Sequence, residues 1–115
     1  MTTGDERRET LDSFRELVNM TPAGLEKWLA TDESRAAGEH KDGGESTGHA
    51  SGRAIVEILR KKHSDLSDAD YRHMRKVTGY IRRHLAQRPA GDVRDSRWRH
   101  SLMNWGHDPT ADDSA

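Results

Sequence analysis

The chain has 115 residues, the size of one domain, and no cysteine, which excludes disulfides, thiolate metal sites and cysteine nucleophiles. Leu, Ile, Val and Phe together number only 16, yet 19 basic against 20 acidic residues leave a net charge of −1, so the high net charge of a disordered chain is missing. No apolar run approaches the roughly 18 residues of a membrane span, and Met1 to Glu6 lacks the basic start and apolar stretch of a secretory signal. A soluble cytoplasmic protein is the expectation.

Near-neutrality hides a segregation of charge. Residues 1–52 carry a net −5, residues 53–100 a net +7, and residues 101–115 a net −3. Such asymmetry points to an anionic partner for the basic stretch, or to acidic ends that fold back on it.

Helix signals run in chain order. Thr3 with Glu6 reads as a capping box, and Leu11, Phe14, Leu17 and Val18 mark one face of a helix over about 5–20. Thr21-Pro22 opens a second helix with the stripe Leu25, Trp28 and Leu29, and a further turn runs from Thr31 to Ala37. The segment 38–52 holds five glycines and no large apolar residue, so it is predicted as a flexible loop. A third helix is expected over about 51–63, with Ile55, Ile58 and Leu59 inward. Ser67 and Asp70 then start the best-marked helix, about 68–87, whose Tyr71, Met74, Val77, Thr78, Ile81 and Leu85 share one arc. Pro89 and Gly91 end it. A last helix over about 96–105 aligns Trp98, Leu102 and Trp105, and the acidic tail beyond Asp108 is expected to fray. No alternating strand pattern and no repeat occurs.

The sharpest chemical signal is the basic side of the 68–87 helix. Arg72, Lys76 and Arg83 lie away from the apolar arc, with Arg75 and Arg82 on its flank, and cations so placed suit the phosphates of a duplex. Gly79 falls in the same arc, where a helix-interior glycine costs about 1 kcal/mol and calls for a reason. Close approach of a phosphate backbone, or of another helix, would supply one. The helices at 51–63 and 68–87 also have a spacing compatible with a helix-turn-helix.

Other signals are weaker. Gly43 and Gly48 have the offset of a phosphate-binding loop, but His49-Ala50 stands where that chemistry requires Lys and Ser or Thr. A Ser/Thr/Gly loop feeding a helix could still bind an anion through free N–H groups, or serve as a plain connector. The seven histidines show no metal-ligand spacing and read as surface residues; His73 and His84 lie about 16 Å apart along one helix. Trp28, Trp98 and Trp105 sit at core spacing beside leucines, although Arg97 and Arg99 flank Trp98 and leave it an interface role. No Ser-His-Asp or paired-carboxylate arrangement emerges.

The runs Lys41-Asp42-Gly43-Gly44-Glu45-Ser46-Thr47-Gly48-His49-Ala50-Ser51-Gly52-Arg53, Tyr71-Arg72-His73-Met74-Arg75-Lys76-Val77, Arg83-His84-Leu85-Ala86-Gln87-Arg88-Pro89 and Trp98 to Pro109 resemble a family of short uncharacterised proteins of actinobacteria, with relatives in fungi. The resemblance covers about residues 10–109. Members often carry a DNA-binding label, so the resemblance implies DNA as a partner; it implies no catalytic residue and no cofactor.

The expected architecture is all-α: a single helical domain over 1–109 with four to five helices, a Gly-rich loop at 38–52, and a disordered acidic tail at 110–115. The expected function is non-enzymatic DNA binding through phosphates by Arg53, Arg60, Lys61, Arg72, Arg75, Lys76, Arg82 and Arg83, with Arg97 and Arg99 secondary. The rival reading is a protein–protein adaptor whose basic face docks an acidic partner; an enzyme using the loop and its histidines ranks third. Neither a cofactor nor a metal is expected.

Overall fold

Short polar side chains start the helices. In the computed structural model, which describes residues 3–37 and 47–111, Thr21 accepts from the Gly24 N–H at 3.0 Å and begins α2 (Pro22–Leu29) with proline in its first turn. Thr31 likewise accepts from Ser34 at 3.1 Å and begins α3 (Asp32–Ala37). Ser67 and Asp70 form the expected reciprocal capping box of α5 (Asp68–Leu85), and Ser96 caps α6 (Arg97–Asn104). The remaining helices are α1 (Thr3–Leu17) and α4 (Thr47–Arg60). Among the described residues there are six α-helices and no strand, against the four to five expected; α3 stands as a helix of its own.

The apolar stripes meet as the sequence predicts. Leu11 and Phe14 of α1, with Val18 just past its end, join Tyr71, Met74, Val77 and Ile81 of α5 in the core, while Leu25 and Leu29 of α2 face Ile55 and Ile58 of α4. Helix α6 lies between the two pairs, touching α2, α3, α4 and α5, and contributes Trp98 and Leu102, with Trp105 just beyond its end. Two large aromatics at this junction bury area that a chain poor in aliphatic side chains lacks elsewhere.

Two boundaries differ from expectation. Helix α4 begins at Thr47, so residues 47–52 of the expected loop are helical; residues 38–46 lie outside the described residues. The reason is close packing. A Cβ on Gly52 would sit 2.5 Å from the Asn104 carbonyl oxygen and 2.7 Å from Leu29 Cδ2, and one on Gly48 would sit 3.1 Å from the Trp105 indole nitrogen. These glycines let α4 lie against α2 and α6. The connector from α4 to α5 is correspondingly 61–67, with a 3₁₀ turn at His63–Asp65. Since α4 packs mainly on α2 and α5 mainly on α1, the two helices do not form the closely packed pair of a helix-turn-helix.

The second difference is at the C-terminus. Thr110, assigned to a disordered tail, is buried, and Asp108 is held from three sides. Its carboxylate accepts from Arg99 Nε and Nη2, both at 3.0 Å, and from the Thr110 N–H and hydroxyl, while its backbone exchanges two hydrogen bonds with the Asn19 amide. Gly106, at φ +85°, turns the chain out of α6 and under Val18, a conformation few other residues adopt. Residues 112–115 lie outside the described residues.

A buried polar knot fixes the approach of α3 and α6. Asn104 Oδ1 accepts from Trp28 Nε1 at 2.8 Å and from the Ser34 hydroxyl, and Asn104 Nδ2 donates to the Ser34 carbonyl at 2.9 Å. Both Asn104 and Ser34 are essentially inaccessible, so these bonds replace water that burial removed.

Replacing Gly52 by alanine tests this packing directly. Although alanine favours a helix, the new methyl meets backbone, and overpacking of this kind costs about 1–3 kcal/mol. The expected outcome is a lower urea midpoint for Gly52→Ala and an unchanged or slightly raised one for Gly4→Ala, in the first turn of α1, whose added methyl meets nothing within 4 Å.

Candidate nucleic-acid interface

Helix α5 presents three sides. One, carrying Tyr71, Met74, Thr78 and Ile81, is buried, with α1 as its principal neighbour. A second, with His73, Tyr80 and His84, faces the aromatic residues at and beyond α6: Tyr80 stacks on Trp105 with centroids 4.1 Å apart, and His84 lies between Tyr80 and Trp98. The third side is outward and consists of Arg72, Arg75, Lys76, Gly79, Arg82 and Arg83; the five cations are all exposed. At about 100° per residue, all five cations lie within about 60° of Gly79 around the helix axis. The stretch 71–91 contains six Lys or Arg and no Asp or Glu.

The cations of this face differ from the others in their partners. Arg72, Arg75, Lys76 and Arg83 have no ion-pair partner among the described residues. Arg82 makes one hydrogen bond, to the Ser13 hydroxyl of α1 at 3.3 Å. By contrast, Arg60 pairs with Glu26 of α2 at 3.1 Å, and Lys61 pairs with Asp70 at 2.8 Å, a contact that, with the Ser67 N–H, holds the Asp70 carboxyl below its usual range. Arg99 is committed to Asp108 and also donates to the Arg94 carbonyl, and Arg97 donates to the Ala37 carbonyl at 3.3 Å. Arg53 is exposed on α4. The ten candidates are therefore spread over four regions, and α5 brings five of them together.

The sequence reading missed Arg7. It pairs with Asp68 and lies over the Tyr71 ring, 4.9 Å from its centroid, beside a shallow surface pocket that Glu6, Arg72 and Arg75 also line. Its signal in sequence was absent, because the contact joins α1 to α5 across 61 positions.

The histidines are largely structural rather than surface residues. His49 Nε2 meets the Leu29 carbonyl at 2.7 Å, His107 Nδ1 meets the Leu17 carbonyl at 2.6 Å, and His73 Nε2 meets the Ser51 hydroxyl at 2.9 Å. His100 packs on Trp28, and His63 alone is fully on the surface among the described histidines. Among the described residues no group of three or more His, Asp or Glu could hold a metal ion. Burial pushes the His73 and His84 pKa values below the ordinary imidazole range, so both rings are neutral near pH 7.

An all-helical protein with one lysine/arginine-rich helix face, and histidines and tryptophans used for packing, is the class that these features define. The chain belongs to DUF3140, a family of proteins of unknown function whose model matches residues 13–103. Neither a curated protein nor a solved structure matches the chain.

The depressed histidines give stability a pH dependence of known sign. Unfolded, each ring binds a proton near pH 6.5; folded, it does so only at lower pH, so unfolding takes up protons below that point. Their contribution is intact above pH ~6.5 and is lost as pH falls from there through the folded values. The urea midpoint is expected to drop between pH 7.5 and pH 5, and the drop is expected to shrink in His84→Gln. An equal drop in that variant would remove His84 from the account.

Proposed function

We propose that this protein is a non-enzymatic DNA-binding protein whose outer α5 face contacts the phosphates of a duplex. One observation carries the reading: Arg72, Arg75, Lys76 and Arg83 are exposed on one side of one helix with no carboxylate partner among the described residues. Cations in that state release condensed counterions when they meet nucleic-acid phosphates, and their own desolvation is shallow. Arg72 to Arg83 spans about 16 Å of helix, long enough to touch several phosphates.

The same face would attract an acidic protein, but it lacks what such an interface needs. Protein interfaces draw most of their affinity from aromatic or aliphatic anchors seated in pockets. The outer face of α5 has only cations and a glycine, which favours a highly charged, backbone-displaying partner. Arg53 and Arg97 are exposed on other helices and are secondary on this reading. Arg60, Lys61 and Arg99 would first have to leave Glu26, Asp70 and Asp108, so they contribute little. On this reading the protein works in the cytoplasm, on the nucleoid; among the described residues no helix is long and apolar enough to cross a membrane.

Reversing Arg72, Lys76 and Arg83 together to Glu is expected to abolish binding to a random-sequence duplex without changing the circular dichroism spectrum. Single alanine changes are expected to weaken binding about equally on any sequence and to reduce the slope of log K against log salt by about 0.9 each. A wild-type protein that fails to retard duplex DNA at ~20 mM salt and high micromolar concentration would end the DNA reading in favour of the adaptor.

A further inference from the structure

Among the described residues nothing gives Gly79 a role in the fold. Gly52 and Gly48 are required by neighbours across a helix contact, and Gly24 lies beside its own cap, Thr21. Gly91 and Gly106 take a left-handed backbone. Gly79 does neither: it lies in the middle of α5 with ordinary helical geometry, and a Cβ there would meet only Arg83 Nη1, at 3.2 Å. That atom ends a flexible, exposed side chain and can move aside. Among the described residues no helix packs over the position closely enough to need glycine there, so packing does not account for a residue that weakens helices.

The neighbours of Gly79 on the helix surface are distinctive. Positions three and four residues away in each direction surround a helical residue, and here they are Arg75, Lys76, Arg82 and Arg83. The helix is therefore bare at the centre of four cations. A side chain at this point would hold a partner away from the helix; a hydrogen atom lets a group of phosphate size settle between the cations.

We infer that Gly79 marks the point of closest approach of the duplex backbone, with one phosphate seated over it among Arg75, Lys76, Arg82 and Arg83. This rests on the DNA-binding reading and deepens it. Lys76 and Arg75 flank the phosphate on the N-terminal side, and Arg83, folded over Gly79 in the free protein, swings onto it. Arg82, hydrogen-bonded to Ser13, closes the fourth side and ties the seat to α1.

The test exploits opposite effects on stability and binding. Gly79→Ala and Gly79→Leu are compared with wild type for melting temperature and for Kd on a random-sequence duplex at ~50 mM salt. Both changes are expected to raise the melting temperature, because each residue favours a helix more than glycine does. Alanine is expected to weaken duplex binding at least fivefold and leucine more, with all charges retained. Duplex affinity unchanged in both variants would overturn the inference, as would a lowered melting temperature in Gly79→Ala, which would return the glycine to the fold. If the Arg72, Lys76 and Arg83 reversal abolishes binding while Gly79→Ala binds as wild type does, the phosphate seat fails and the DNA reading stands. If wild type does not bind duplex, both fail.

Discussion

The contact between Gly52 and the carbonyl of Asn104 governs much of what surrounds it. With no side chain at 52, α4 comes close enough to α6 for a backbone oxygen to occupy the place of a Cβ, and close enough to α2 for Leu29 to cover the same spot. One turn earlier, Gly48 admits the Trp105 indole. Because α4 lies this close, Ser51 reaches His73 of α5, and His49 reaches the carbonyl at the end of α2. Helix α5 is thus braced from α4 and α6 on one side and from α1 on the other. Its third side needs no internal contact, and that freedom lets it carry five cations and no apolar residue.

Few aliphatic side chains mean that aromatic and polar groups must close the core. Trp105 stacks on Tyr80, Tyr80 on His84, and His84 approaches Trp98, whose indole N–H donates to the His84 carbonyl at 2.6 Å. Each ring buries a large area, and the stacking adds to it. His84 Nε2 is buried with no hydrogen-bond partner among the described residues, so a proton there would bring an unpaired charge with it. Asn104 follows the same rule from the polar side. Its amide is buried with three partners, and a residue lacking either end would strand Trp28 or Ser34.

The sequence made the long helices legible because their order is local. Tyr71 to Leu85 at 3.6-residue spacing, the Ser67/Asp70 box and the Trp98, Leu102, Trp105 stripe each lie within or at the end of one element, and the structure buries the stripes, Leu85 in part. Thr47 to Gly52 was misread for the opposite reason. A run of glycine, serine and histidine is a loop if nothing lies against it and a close-packed helix face if something does. The residues that decide between these, Leu29 and Asn104, are remote in the chain. Asp108 is alike: its acidic neighbourhood reads as tail until Arg99 and Asn19 close on it. The cation list divides by the same criterion. The outward side of α5 follows from helical periodicity, whereas the pairing of Arg60 with Glu26, 34 positions away, has no trace in either residue's surroundings.

Near-neutral net charge does not weaken an argument from that outward side. Of the exposed acidic residues of α1, Glu6 lines the pocket beside Arg72 and Arg75, whereas Glu9, Asp12 and Glu16 lie toward the side of α1 turned away from α5. At physiological salt a charge is felt over about 8 Å, roughly half the distance that the α5 cations cover along the helix. A polyanion at this face therefore meets the local cations first and the rest of the molecule only weakly. At low salt the screening length grows to about 30 Å at 0.01 M, and the acidic faces begin to oppose the same approach. The two effects act against each other as salt falls: phosphate contacts strengthen while whole-molecule attraction vanishes. On the DNA-binding reading, affinity should accordingly gain less from salt removal than the five cations alone would give, a consequence of placing a strong local charge on a neutral body.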